Sequence, residues 1–159
     1  VSWQRYCASA NDAMRAGEEF ADVLQCGDIV LLSGPLGAGK TTFTKGVAKG
    51  LGVAERVTSP TFTMVRPHRC RNDRGIQTLH HADVYRVQSV AEVLDLALGE
   101  EVEDAAVALV EWGELGASVF GRDVMTIRFD VDDDEGRTLS VEGRLAEQRA
   151  VALDEWAAR

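Results

Sequence analysis

Gly34, Gly39, Lys40 and Thr41 stand in the order G-x-x-x-x-G-K-[ST] within "LLSGPLGAGKTTF", residues 31–43. That spacing suits a cradle for phosphate. Glycines let the backbone N–H groups of the loop turn inward around an anion. The helix that follows adds the partial positive charge of its N-terminus. Lys40 is placed to reach β- and γ-phosphates, and the Thr41 hydroxyl to ligate Mg²⁺. Leu36, Gly37, Ala38 and Thr42 complete the loop and its first helical turn. The context fits, because an apolar run precedes the motif and an amphipathic segment follows it.

A bound Mg²⁺–nucleotide also needs a carboxylate at the end of a neighbouring buried strand. Glu111 follows "AAVALV", and Asp83 follows "IQTLHHA". Glu111 closes the more convincing buried strand, which leaves Asp83 to position or activate water. Thr61 lies in "SPTFT", a threonine-rich segment that reads either as a γ-phosphate switch or as a turn into a strand. Trp112, beside Glu111, reads as core or as a lid. "RPHRCRNDRG" carries Arg66, Arg69, Arg71 and Arg74 against Asp73. It is expected to be an exposed hairpin tip, the alternative being a basic patch for RNA or an acidic partner. His68 and Cys70 are too few for a metal site.

These residues need a frame. Helix-like and strand-like segments alternate along the chain. "DIVLLSG" and "AAVALVEW" are continuous apolar runs, as strands buried on both faces require. Ser9 and Asp12 have capping-box spacing, and Met14, Gly17, Ala21 and Leu24 follow at helical intervals, with Gly27 as a stop. "GKTTFTKGVAKGLG" sets Phe43, Val47 and Leu51 on one helical face. Two β segments flank the arginine-rich turn, and "SVAEVLDLALG", with Ser89 and Glu92, predicts a helix. Late strands surround "DDDEG", and residues 142–159 read as a helical tail with a weak apolar face. The class is α/β with a mainly parallel central sheet, helices on both faces and a β-hairpin insertion. With the phosphate motif this becomes a three-layer P-loop NTPase-like fold, a single domain over residues 1–159.

Charge and composition narrow the setting. The 159 residues carry a net charge of −9, so no whole-surface attraction to nucleic acid or anionic membrane is expected. No apolar run reaches membrane-span length, and "VSWQRYCASA" has no signal-peptide pattern. Cys7, Cys26 and Cys70 lack CxxC spacing and read as reduced thiols, so a cytoplasmic location is expected.

Taken in order, "GPLGAGKTT", "SPTFT", "HADVYR" and "VEWGE" resemble the TsaE family, the bacterial ATPases of tRNA threonylcarbamoyladenosine modification. The similarity runs from about Ser9 to about Arg137. It implies ATP and Mg²⁺ as ligands, with Lys40 on phosphate, Thr41 and Glu111 on the metal, and Asp83 and Thr61 in catalysis. The family's H-x-D-x-Y-R motif falls on His81, Asp83, Tyr85 and Arg86. Thr61, Tyr85, Arg86 and Trp112 are then expected at a switch or partner face. The resemblance also places adenine around Ser9, Ala10 and Asn11, with a late contact near Asp134. Gly113 and Pro35 stand where the family often has other residues. The hairpin tip and the C-terminal tail find no clear counterpart in the family.

The implied activity is ATP hydrolysis, slow alone and coupled to the TsaB–TsaD pair, with tRNA met only through that complex. The competing function is a small-molecule or nucleoside kinase, which would share the cradle and use Asp83 as its base. A GTPase ranks low because the guanine-reading N-K-x-D is absent.

Overall fold

A computed structural model describes residues 1–58, 65–84, 105–111, 123–132 and 136–159. Among these, seven strands form one sheet in the order β1-β7-β6-β2-β5-β4-β3. The strands are β1 (Trp3–Cys7), β2 (Ile29–Ser33), β3 (Val65–Arg69), β4 (Thr78–Asp83), β5 (Ala106–Glu111), β6 (Met125–Val131) and β7 (Arg137–Glu142). The four central strands, β6-β2-β5-β4, pair in parallel. The flanks are antiparallel, β7 and β1 on one side and β3 on the other. The expected hairpin is the β3–β4 pair, and β4 joins the central sheet through its parallel register with β5.

The two apolar runs lie at the centre, as their composition requires. The first four residues of β2 and all of β5 are buried. Alternation divides their side chains between the two sheet faces. Val30, Leu32, Val107 and Leu109 join a core with Phe20, Phe43 and Trp156, while Ile29, Leu31, Ala108 and Val110 are buried outside that cluster. The helix expected over residues 89–99 lies outside the described residues.

Helix α1 (Ala10–Phe20) begins with the anticipated cap. Ser9 Oγ accepts the Asp12 N–H at 3.2 Å, and the Asp12 carboxylate accepts the Ala8 N–H at 3.2 Å. The buried stripe is Ala13, Ala16, Gly17 and Phe20, one position off the expected series in part. Met14 is only half-buried, and the helix stops at Phe20 rather than near Gly27. Gly27 instead serves the sheet, donating its N–H to the Ala106 carbonyl at 2.7 Å.

Helix α2 (Lys40–Gly50) crosses α1 at backbone contact distance. A Cβ placed on Gly46 would lie 2.0 Å from the Met14 carbonyl oxygen. On Gly17 it would lie 2.2 Å from the Phe43 oxygen, and on Gly50 2.4 Å from the Glu18 oxygen. No side chain fits between these helices, and the glycines are what let them touch.

The C-terminal region is core and not an appendage. It forms α3 (Arg144–Glu147) and α4 (Ala150–Ala157). Trp156 is buried, donates its indole N–H to the Ala16 carbonyl at 2.9 Å, and stacks edge-on against Phe20 at 5.5 Å. Phe20 meets Phe43, and Phe43 meets Phe129, at 5.5 and 5.6 Å. This aromatic series ties α4 to α1, α2 and β6, each pair adding about 0.5–1.5 kcal/mol beyond its burial. A short helix with one large anchor gives little periodic signal, which explains why its apolar face looked weak.

The hairpin tip is exposed at Arg66, Arg69, Arg71 and Asp73, as expected, and is also bonded to the elements beside it. Asn72 donates to the Leu51 and Ile76 carbonyls at 3.0 and 2.8 Å, and the Arg71 N–H reaches the Leu51 and Gly52 carbonyls. The Arg74 guanidinium bonds the Ala21 carbonyl. The tip therefore caps the far ends of α1 and α2, supplying donors to carbonyls left over where those helices stop.

Replacing Gly46 with alanine is expected to cost about 1–3 kcal/mol in urea unfolding, as an overpacked contact does. Alanine ordinarily stabilises an exposed helix position relative to glycine. A neutral or stabilising Gly46→Ala would show that the helices do not touch there.

Candidate functional site

The phosphate-type loop joins the end of β2 to the start of α2. Gly37 and Gly39 have φ of 80° and 101°, a left-handed backbone that side-chain-bearing residues rarely adopt. Leu36, at the tip, is 82% exposed. Lys40 is buried, and its ammonium donates to the carbonyls of Gly34 at 2.6 Å and Pro35 at 3.0 Å. The lysine is thereby held inside the curl of the loop. The N–H groups of the first turn of α2 have no acceptor within the helix, so that turn faces the same space with donors.

The next residue meets the neighbouring strand. Thr41 Oγ1 lies 3.0 and 3.2 Å from the two carboxylate oxygens of Glu111. Glu111 is the last residue of β5, and it is buried. Its Oε2 is also 2.5 Å from His81 Nε2. His81 is fully buried on β4, and two residues later Asp83 stands opposite Glu111 in the parallel register. A hydroxyl and a carboxylate converging at the mouth of a glycine-rich loop form a hard-oxygen donor set, of the kind that could hold Mg²⁺.

On the other side of the loop lies a cavity of about 280 Å³, lined by Ser9, Ala10, Ala13, Gly37, Ala38, Gly39, Thr42 and Arg137. Ser9 and Ala10 reach it because α1 is pressed against α2 and starts beside the loop. Arg137, the first residue of β7, spans the gap from across the sheet. Its Nε donates to the Ala38 carbonyl at 3.1 Å and its Nη2 to the Gly37 carbonyl at 3.4 Å. Lys40 and Arg137 thus hold four loop carbonyls between them.

The family model for "Threonylcarbamoyl adenosine biosynthesis protein TsaE" matches residues 7–139. The chain belongs to the TsaE family. The chain is similar to the tRNA threonylcarbamoyladenosine biosynthesis protein TsaE of Treponema pallidum, at 41% identity over 133 residues, covering 84% of this chain and 95% of that one. It is also similar to the TsaE of Streptomyces coelicolor, at 43% identity over 141 residues, covering 86% and 93%. A solved structure, "Crystal structure of Bacillus subtilus YdiB", superposes with a TM-score of 0.76 at 26% identity, covering 99% of this chain and 95% of that one. The family model stops at residue 139, so residues 142–159 lie outside it, as expected for the C-terminal tail.

Within this TsaE chain, the structure brings together Gly34, Leu36, Gly37, Ala38 and Gly39 on one loop and Lys40, Thr41 and Thr42 on the first turn of α2, with Glu111 and Asp83 at adjacent strand ends and Ser9 and Ala10 at the cavity wall. Thr61, Tyr85, Arg86, Trp112 and Asp134 lie outside the described residues. Sequence reasoning missed two contributors. Arg137 belongs to no motif, and only the strand order β7-β6-β2 brings it to the loop. His81 stood in a motif without a role, and its bond to Glu111 appears only once β4 and β5 are in register.

Elsewhere, His68 pairs with Glu55 at 2.5 Å, and burial pushes the Cys70 thiol up to about 11, so neither marks a second reactive centre. Among the described residues no helix is long and apolar enough to cross a membrane.

Arg137→Ala is expected to cost about 1–2 kcal/mol, because two loop carbonyls lose a charged donor. Amide hydrogen exchange at residues 37–39 should accelerate with it. Unchanged exchange there would show that Arg137 does not brace the loop.

Proposed function

We propose that this chain binds Mg–ATP and hydrolyses it in the service of tRNA threonylcarbamoyladenosine biosynthesis, acting on the TsaB–TsaD pair and meeting tRNA only through that complex. The observation that carries the reading is the Thr41–Glu111 contact at 3.0 and 3.2 Å, next to a lysine held in a glycine-rich loop. Family membership supports the pathway, and the chain covers nearly the whole length of the relatives reported above.

Each residue then has one task. The loop backbone from Gly34 to Thr42 receives the phosphates, and Lys40 balances their charge. Thr41 and Glu111 hold the metal. A divalent cation held by them would supply charge neutralisation to the bound phosphates. Asp83, opposite Glu111, orients the attacking water or takes its proton. The cavity beside Ser9, Ala10 and Ala13 receives the base, with the Arg137 guanidinium at its edge. On the same reading Thr61, Tyr85, Arg86 and Trp112 serve as switch or partner contacts, and Asp134 contributes to recognition of the base. The site belongs to a protein working in the cytoplasm beside its partners.

Turnover of γ-labelled ATP tests this directly. All label should appear as free phosphate, and faster with the TsaB–TsaD pair present. Label on a metabolite acceptor without the pair would replace the reading with a kinase. Asp83→Asn should leave ATP affinity near that of the unaltered chain and slow turnover by about 10²-fold or more. Normal turnover in that variant would remove Asp83 from the chemistry.

A further inference from the structure

We propose that His81 is the positioning residue that fixes the Glu111 carboxylate for a divalent cation, an inference that rests on the metal-site reading above. The two side chains are among the most enclosed polar groups of the sheet, at 0% and 5% exposed, with 2.5 Å between Nε2 and Oε2. A carboxylate accepts only, so the imidazole donates from Nε2. Nδ1 is buried with no hydrogen-bond partner. The Nε2–H tautomer and the imidazolium both offer that donor, and the Nδ1–H tautomer does not.

The placement follows from the strands. In the β4–β5 register His81 stands opposite Leu109 and Asp83 opposite Glu111. Side chains two apart share a face, so His81 and Glu111 are diagonal neighbours across parallel strands. His81 approaches the carboxylate from the sheet, while Thr41 approaches from the loop. One carboxylate is thus held from two directions. A lysine or arginine in place of His81 would carry a fixed positive charge toward the cation and oppose it. An imidazole N–H fixes orientation without that fixed charge. Groups that orient metal ligands in this way commonly change metal affinity by 10- to 100-fold when removed.

The test separates this role from simple packing. ADP affinity is measured by calorimetry with Mg²⁺ and again with EDTA, for the unaltered chain, His81→Leu and His81→Gln. His81→Leu should lose about tenfold or more of the affinity gained from Mg²⁺, with its EDTA affinity unchanged. His81→Gln, whose amide nitrogen reaches about as far as Nε2, should recover most of the gain. If His81→Leu keeps the full Mg²⁺ gain, or loses affinity equally in both buffers, the positioning role is wrong and the metal-site reading stands. If the unaltered chain gains nothing from Mg²⁺, the metal-site reading fails and takes this inference with it. The folded protein supplies an independent check should the leucine variant not fold. A ¹⁵N-histidine spectrum should show His81 protonated on Nε2, with that N–H shifting when Mg²⁺ is added to the ADP complex. Protonation on Nδ1 instead, or an Nε2–H indifferent to Mg²⁺, would overturn the proposal.

Discussion

The backbone contact between α1 and α2 is the constraint on which the rest of this structure depends. Gly17, Gly46 and Gly50 leave no room for a β-carbon, so the two helices lie as close as their carbonyls allow. Everything on that side of the sheet is set by this distance. It brings Phe20 to Phe43, and through Phe20 it receives Trp156. It also places the capped start of α1 beside the glycine-rich loop, because that loop is the start of α2. The hairpin tip fastens the same two helices at their other ends. The cavity wall at Ser9 and Ala10 is thus a consequence of packing many residues away.

The site itself draws on five separated pieces of chain. The loop and α2 supply Lys40 and Thr41, β5 supplies Glu111, β4 supplies His81 and Asp83, α1 the cavity wall, and β7 supplies Arg137. Two pairs of side chains act as braces. Arg137 and Lys40 hold the loop carbonyls, and His81 and Thr41 hold one carboxylate. Charged and polar groups are therefore used in pairs that approach from opposite sides, which restricts orientation more than either contact alone.

Much of this was legible in the sequence wherever local chemistry decides the structure. The loop could be read because backbone conformation demands glycine at fixed spacing, and β2 and β5 because strands buried on both faces must be apolar throughout. Glu111 followed from the quality of its strand. The cap at Ser9 was readable, although the buried stripe of α1 was not read in full. Its unread members include the small residues Ala13 and Ala16, which hydrophobic periodicity underweights. Arg137, the docking of the hairpin tip and the anchoring of Trp156 depend on strand order and on contacts between residues distant in the chain, from 21 apart at Asn72–Leu51 to 140 apart at Trp156–Ala16. No local pattern encodes these.

The parallel register of β4 on β5 has a kinetic consequence. A slip of one residue would turn His81 and Asp83 to the opposite face and leave Glu111 without its imidazole. Parallel pairs form only after a long intervening segment has been closed, and such contacts come late and slowly. Thr41, His81 and Glu111 meet only when both β2–β5 and β4–β5 are in place. The Thr41–His81–Glu111 cluster is thus a check on its own sheet: a chain folded out of register offers no carboxylate held by both an imidazole and a hydroxyl.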